Sequence, residues 1–582
     1  MNRHKRDFAI DPRVFKLIAL AALIGVLAVF AADALLALIR FFTNLFFFQT
    51  LSLTARSPAG NTLGLWVIVL PVIGGLIVGL MARFGSEKIR GHGIPEAIEA
   101  ILFGKSTLSP KVAVLKPLSS GIVIGSGGPF GAEGPIIMTG GSIGSLIGQY
   151  FHLTAAERKT LLVAGATAGM TAVFGTPVAA VLLAVELLLF ELRPRSLLPV
   201  AIACAVAGFV RTLVLDAGPL FPVQTATADL SMLGGCLIAG LLSGMLCSGL
   251  SFLLYRIEDL FGHLPLHWMW WPALGGLVIG LGGYLEPRAL GIGFDVISDL
   301  LHNHILLSAA LALLLVKALI WVVALGSGTS GGVLAPLLML GAGLGAVLGH
   351  ILPGGHTALW PLVCMAATLA GVLGAPMTAV IFALGLSHDT NALLPVLLAV
   401  TVAYGFTILV AKRSIMTEKI ARRGRHIHRE YAVDPLESHD VAEVMTHQVQ
   451  TLDATLTVAE VMASHFGAGQ VHRAFPVTHQ GRLLGVLDRN LLSGIPGESL
   501  VAELLRDTAL HFALPGETCR LAASRLISQG IERLPVVADT QSLRLVGIIS
   551  RSDILKTSLH FHDQEVHRET MRRLPWREGR SR

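Results

Sequence analysis

GSGGPFGAEGPIIMTGGSIGSLIG occupies residues 125–148. Its one carboxylate, Glu133, lies in a glycine-rich apolar setting directly before Gly134 and Pro135. Proline suits the first turn of a helix, so a helix is expected to begin here. Glu133 is then expected at the free N–H groups and positive end of that helix. Such a place binds anions, and a carboxylate there competes with them. A capping glutamate in a tight packing loop fits the same residues, and the stretch alone leaves both readings open.

The same pattern returns later in the chain. Residues 326–349 read GSGTSGGVLAPLLMLGAGLGAVLG, and Pro336 stands 201 positions after Pro135. That offset also matches Gly125 with Gly326, Met138 with Met339, Gly144 with Gly345 and Lys116 with Lys317. Upstream, GHGIPEAI (91–98) faces GIGFDVI (291–297) at 200; downstream, FGTPVAAV (174–181) faces LGAPMTAV (373–380) at 199. Three ordered blocks at nearly constant offsets make an internal repeat. Repeats with glycine- and proline-broken apolar segments are the signature of a membrane transporter with its site between the halves. The second copy has Leu334 where the first has Glu133, so the fold itself needs no acid there.

Composition agrees. The 582 residues are 53% hydrophobic and 14% charged, against about 25% charged in soluble domains. Runs at 14–39, 63–81, 197–215, 306–325 and 393–410 are each near the ~20 residues that a spanning helix needs. The first is too long for a signal-peptide core and is expected to stay in the mature protein. The net charge of +6 sits in clusters at 4–6, 88–90, 193–195 and 412–429. These mark cytoplasmic loops and predict cytoplasmic termini, with no nucleic-acid partner. Cys204, Cys236, Cys247, Cys364 and Cys519 have no metal-ligand spacing and read as unpaired packing residues.

Charge density changes near residue 412. KRSIMTEKIARRGR (412–425) reads as a helix leaving the membrane, and the rest as a mixed helix–strand domain. Residues 441–492 line up with 501–555, each a short helical lead, a helix, then strand-like FPVT or LPVV and GVL or GII. That pattern resembles a tandem CBS pair.

The membrane part resembles the CLC family of chloride channels and proton/chloride antiporters over roughly residues 10–425. GHGIPE (91–96), GAEGP (131–135) and GGVLAP (331–336) are similar to that family's three signatures. The fold class expected is an all-α polytopic membrane protein with two repeats and interrupted helices, plus an α/β cytoplasmic CBS pair. The resemblance makes Glu133 a gating glutamate. Three glycine-rich helix starts would offer amide donors to a dehydrated anion without a fixed cation, which would bind it too tightly to release. The pathway residues are then Gly91, His92, Gly93, Ile94, Pro95, Gly131, Ala132, Gly134, Pro135, Val333, Leu334 and Met416.

Four positions depart from the family. Ala132 replaces an Arg or Lys beside the gate, His92 a Ser, Leu334 a Phe, and Met416 a Tyr. Two hydroxyl donors of the central site are therefore absent, while His92 keeps an N–H and titrates near neutral pH. Tyr404 is one alternative source of a hydroxyl. A proton route would use Glu133, Glu186 and His92. The inner acid of family antiporters falls on Leu187, a partner acid falls on Ile98, and Glu186 also reads as an ion pair or cap near Arg193. Uncoupled or atypically coupled anion flow is therefore expected, with a strict H+/Cl− antiporter as the alternative. A CBS-regulated divalent-cation transporter is remote, because a cation site needs clustered carboxylates.

In GIISRSD (547–553), Ser550 and Asp553 match the nucleotide-contacting positions of CBS domains. The first module has Asp488 and Leu491 at those positions, leaving one competent adenine-nucleotide site; a purely dimerising role for the pair is equally open. The expected domains are a transmembrane part at 1–411 (repeat halves about 60–215 and 265–411), a helical linker at 412–435, CBS modules at 436–495 and 496–560, and a basic tail at 561–582. No enzyme activity, required cofactor or metal is expected. The expected protein is a multi-pass homodimer of a bacterial inner membrane, carrying chloride or another small anion and in the antiporter reading also protons.

Overall fold

The computed structural model describes residues 12–556 except 216–217, 354–357, 412, 426, 428–435, 437–438, 468–469, 471 and 507. The basic cluster at 4–6, the tail at 561–582 and much of the linker lie outside the described residues. Contacts divide the chain between residues 431 and 432, and each unit is described by itself.

The first half of the membrane unit runs α1 (Val14–Phe48), α2 (Val69–Phe84), α3 (Ile94–Leu102), α4 (Pro110–Gly125), α5 (Glu133–Tyr150), α6 (Ala155–Phe174), α7 (Pro177–Leu183) and α8 (Pro194–Val214). The second runs α9 (Leu233–Gly262), α10 (Trp271–Leu285), α11 (Phe294–Leu301), α12 (Leu307–Gly326), α13 (Leu334–Leu348), α14 (Leu359–Leu373), α15 (Pro376–Ser387) and α16 (Leu393–Val410). Proline opens α7 and α15, and glycines at positive φ close α6 (Gly175) and α14 (Gly374), where a left-handed residue ends a helix. The repeat is longer than the motifs indicate. α1 packs on α6 and α8 as α9 packs on α14 and α16, so both long helices belong to their halves. α9 carries six glycines and α1 only Gly25, so the two share no glycine motif that a sequence match would register.

A two-fold relation joins the halves. Gly131 and Gly332, equivalent residues, pair with each other in an antiparallel bridge, N to O 3.1 Å one way and 2.9 Å the other. The Gly291 amide donates to Gly127 O, and at the matching place the Gly91 amide donates to Gly328 O. A built Cβ on Gly75 would lie 2.3 Å from Pro272 O, and one on Gly276 would lie 2.4 Å from Pro71 O. Reciprocal contacts of this kind arise only where a local two-fold axis passes between the copies.

Among the described residues, six helical stretches are long and apolar enough to cross a membrane. α5, α6, α13 and α14 form the interior, with every residue of α14 buried. Glycine brings them together: a Cβ on Gly144 would lie 2.1 Å from Leu161 O and one on Gly345 2.1 Å from Trp360 O. Small residues allow this approach where apolar surroundings give helices no hydrophobic reason to associate. All five cysteines are buried and free.

The expected linker helix is shorter and belongs to the membrane unit. α17 is Ile415–Arg422, with Ile415, Met416 and Ile420 buried, and Gly424 at φ +79 lies in the turn that follows it. A hydrophobic face packed on the interior, rather than solvent, holds it there.

The second unit contains α18 (Val441–Val444), β1 (Leu452–Asp453), α19 (Val458–Ser464), β2 (Ala474–His479), β3 (Arg482–Asp488), α20 (Val501–Leu504), α21 (Cys519–Ser528), β4 (Arg533–Val537) and β5 (Leu545–Ser550). β1 is parallel to β2, β2 antiparallel to β3, and β4 antiparallel to β5. The modules exchange their leads, so the expected boundaries at 436 and 496 do not bound the packing units. Val441 joins the core of Leu534, Val536 and Ile549, and its amide donates to Glu517 O. Val501 joins the core of Leu452, Phe475 and Leu487, and its amide donates to Leu456 O. Each lead is too short to bury its own valine, so it docks on the apolar surface of the other module.

Candidate functional site

The carboxylate of Glu133 faces the amide of its own residue at the start of α5 and also reaches a second helix. Glu133 is fully buried, and its Oε1 accepts the Ala335 amide at 2.8 Å. The amide of Leu334 also faces the carboxylate. α13 has no side-chain cap of its own at Val333, so the first repeat supplies an acid to the free amides that open a helix of the second. Oε2 is buried with no hydrogen-bond partner. The walls are glycine: a Cβ on Gly131 would lie 2.0 Å from Oε2, and one on Gly332 2.1 Å from it.

Several amides expected to serve an anion are bonded within the protein. The Gly131 amide bonds Gly332 O, that of Gly91 bonds Gly328 O at 3.4 Å, and that of Gly93 donates to Glu96 Oε2 at 3.0 Å. Pro95 and Pro135 have no N–H. These five have no free amide to offer an anion. His92, Ile94, Ala132, Gly134, Val333 and Leu334 remain as amide candidates, and Ile94, Ala132, Gly134 and Leu334 are buried in one apolar interior.

Gly91 at φ +81 and Gly93 at φ +90 fold the first signature so that the His92 carbonyl rests on Gly134. The His92 ring is buried, and its Nδ1 has no partner. A buried ring nitrogen left open in this way is a rare arrangement that calls for a ligand or a water. Met416 is fully buried at the start of α17. The hydroxyls that sequence reading missed do structural work: Tyr255 Oη donates to Ile415 O at 2.7 Å, and Ser119 and Ser120 meet Ser330 at 3.2 and 3.0 Å. Tyr404 is half-buried on α16.

Lys116 and Lys317 matched in sequence without an evident role. The structure gives them one. Lys116 Nζ donates to Ile89 O at 2.8 Å and Gly91 O at 2.7 Å, while Lys317 Nζ donates to Ala289 O at 2.8 Å and Gly291 O at 3.1 Å. Each buried ammonium holds the carbonyls of one glycine turn from behind.

Glu186 is a helix cap, but not near Arg193. Its Oε1 accepts the Met377 amide at 3.1 Å, and Oε2 accepts the Thr378 amide at 2.8 Å and hydroxyl at 2.6 Å. It thus seats on α15 of the second repeat, while Glu191 approaches Arg193 and Lys159, each at 3.9 Å. The π-helical turn Ala184–Leu189 that carries Glu186 re-aims it toward α15. Ile98 and Leu187 are buried apolar residues.

In the second unit, Ser550 and Asp553 border a cavity of about 590 Å³ with Arg533, Glu532 and Thr446. Asp553 Oδ2 accepts from Ser550 Oγ at 2.6 Å, and Oδ1 pairs with Lys556 at 2.9 Å. Burial opposes ionisation of Asp553, but these hydrogen bonds outweigh it and hold the carboxyl below its ordinary range. Asp488 caps the Asn490 amide at 2.8 Å, and Leu491 is exposed.

Gly131→Ala is expected to fold and to leak. Its three nearest neighbours are all atoms of the Glu133 carboxyl group, and its φ is not left-handed. The added methyl therefore displaces the carboxylate and leaves the backbone in place. Anion efflux from liposomes at neutral pH should rise with an unchanged gel-filtration profile. A variant with wild-type flux would show that the carboxylate finds room beside the methyl group.

The chain belongs to the voltage gated chloride channel family, whose model matches residues 73–407, and CBS domain models match 441–492 and 501–560. It is an integral membrane protein of CLC fold. It is 28% identical over 370 residues to a putative chloride channel protein ClcB-like of Ralstonia nicotianae, covering 61% of this chain and 85% of the relative. It is 27% identical over 362 residues to the H(+)/Cl(−) exchange transporter ClcA of Klebsiella pneumoniae, covering 57% and 75%. The crystal structure of a slow cyanobacterial Cl−/H+ antiporter superposes with a TM-score of 0.63 at 21% identity, covering 71% of this chain and 99% of that one.

Proposed function

We propose that this protein carries chloride or another small monovalent anion along a pathway gated by Glu133, without strict proton coupling. One observation carries the reading: a buried carboxylate from one repeat occupies the amide seat of the other repeat's helix, with one oxygen unpartnered. Ionised, it fills an anion site; protonated and displaced, it leaves that site to the anion. An ionisable group at such depth is costly and functional by default. His92, with its open Nδ1, serves as a ligand or proton carrier next to the gate, and Met416 makes the inner end of the pathway apolar.

The coupling reading rests on the inner acids. Leu187 and Ile98 cannot carry protons, and Glu186 accepts three hydrogen bonds as the cap of α15. The expected reversal potential in proteoliposomes therefore follows the anion gradient and stays fixed when a pH gradient is added. A shift with the pH gradient would establish the strict antiporter, which the exchange transporter among the relatives keeps in play. A series over chloride, nitrate, bicarbonate and fluoride identifies the anion, and silence toward all of them would sink the transport reading.

The assembly we infer is a homodimer of a bacterial inner membrane, with one pathway per subunit and both termini cytoplasmic. The CBS pair modulates flux by binding an adenine nucleotide at Ser550 and Asp553. Isothermal titration of the full-length protein with ATP, ADP and AMP should give one site per chain. Asp553→Ala should weaken binding about tenfold, the worth of one charged hydrogen-bond partner. No heat from any nucleotide would leave the pair a dimerising module.

A further inference from the structure

Bonds from the scaffold hold the first glycine turn at both ends. The Gly91 amide donates to Gly328 O, Lys116 donates to Gly91 O, and the Ala97 amide donates to Gly93 O at 2.9 Å. The turn is closed by a side chain. Gly93 stands at φ +90, a conformation that glycine adopts at little cost, and its amide goes to Glu96 Oε2 at 3.0 Å.

That carboxylate is in turn fixed from another helix. Oε1 of Glu96 lies 3.0 Å from Lys419 Nζ on α17 and 3.6 Å from Arg423, which α17 leads into and which is shared with Glu99. The Glu96 side chain is 10% exposed and that of Lys419 20%, so the pair is largely shielded from water, where a charge left without its partner is costly. The Lys419 ammonium also rests on the turn itself, since a Cβ on Gly91 would lie 2.3 Å from Nζ. Three residues earlier on α17 is the fully buried Met416, a spacing that puts both side chains on one face of the helix. In the second turn the buried Val296 stands at the position of Glu96, so this link belongs to the first turn.

We propose that Lys419 is a positioning residue for anion selection: through Glu96 it fixes the Gly93 end of the turn that carries His92 and Ile94. The inference rests on the reading that this turn lines the anion pathway. Lys419 need not touch the anion. It acts through where Glu96 holds the Gly93 amide, and with it the backbone on either side. A sphere such as chloride and a plane such as nitrate respond unequally when the groups that replace their water shells shift.

The ratio of nitrate to chloride efflux from liposomes, and hydrogen exchange of the full-length protein in nanodiscs, test it together. Lys419→Gln should change the ratio at least about threefold, and Lys419→Arg should restore it. Arg423 still faces Glu96 in Lys419→Gln, so the fold is expected to hold. Glu96→Gln, which keeps an oxygen for the Gly93 amide but drops the charge, should change the ratio in the same direction. In both Gln variants exchange should quicken in the peptide spanning residues 90–97 and not in that spanning 290–297. Arg425→Gln, which removes a cation 3.7 Å from Glu99, should keep the wild-type ratio. An unchanged ratio in Lys419→Gln and Glu96→Gln, an equal loss of both fluxes, or the same shift in Arg425→Gln would each overturn the proposal, the last by making the effect one of general charge. A wild type silent toward both anions would instead strike the pathway reading, and the proposal with it, whatever the exchange rates.

Discussion

Glu133→Gln is expected to give anion flux that no longer responds to pH and that, at neutral pH, equals the acid-activated flux of the wild type. In the wild type, Oε1 holds the Ala335 amide at 2.8 Å with Leu334 beside it, and no water-exposed surface competes for the charge. A hydrogen bond to a charged acceptor is worth about 1.5–3 kcal/mol, against about 0.5–1.5 for a neutral one. Removing the charge therefore loosens the seat by ~1–2 kcal/mol, a factor of about 5–30 in occupancy. The wild-type direction follows from the same balance: acid protonates the carboxylate, weakens its hold and raises flux. Glu133→Ala should reproduce the flat profile with a wider opening. Efflux from liposomes across an acid-to-alkaline series reads both variants. Persistence of the wild-type slope would move the gate elsewhere, and His92, with its buried unpartnered nitrogen, would be the residue to replace next.

Gly134→Ala is expected to abolish the folded protein. A Cβ there would lie 1.8 Å from His92 O, 2.9 Å from its carbonyl carbon and 3.3 Å from Gly332 Cα. All three are backbone atoms, and neither segment can retreat. His92 is fixed between two left-handed glycines with Lys116 bonded behind, and Gly332 is paired with Gly131. Overpacking a side chain costs about 1–3 kcal/mol, and contact with backbone on two sides lies at the upper end or beyond. The monodisperse peak in detergent gel filtration should be lost, along with flux. A normal peak with wild-type flux would mean that the first and third signatures do not meet at this glycine. The contrast with Gly131→Ala, three residues away, separates a glycine required by packing from one required by the gate.

Much of this was legible in residues alone. The offset of 201 between Pro135 and Pro336, the broken apolar segments and the strand-like doublets of the tail defined the two repeats and the CBS pair. They are patterns of side-chain type, and side-chain type is what a sequence records. Glu133 also stood out by itself, because a carboxylate among glycines in an apolar stretch has few structural excuses and its counterpart Leu334 shows the scaffold does without it.

What failed to show was the partner of each polar group. Glu133 was expected at its own helix and also seats on α13; Glu186 was expected near Arg193 and caps α15; Gly93 and Gly131 were expected to offer amides and have them bonded. In three of the four cases the partner is a backbone group of the other repeat, 191 to 202 residues away, while the Gly93 amide meets the nearby Glu96 side chain. Every residue but proline carries the same N–H and C=O, so no residue type announces which amide a distant carboxylate will reach. The exchanged leads of the CBS modules follow the same rule, since Val441 and Val501 bond to main-chain carbonyls of the other module.

The sequence by itself therefore determined the fold family and the doubled scaffold, and it singled out the acid that we propose as the gate. Only the tertiary structure decided which helix that acid closes, because the two-fold pairing of Gly131 with Gly332 crosses the repeats and brings a carboxylate of one to the free amides of the other.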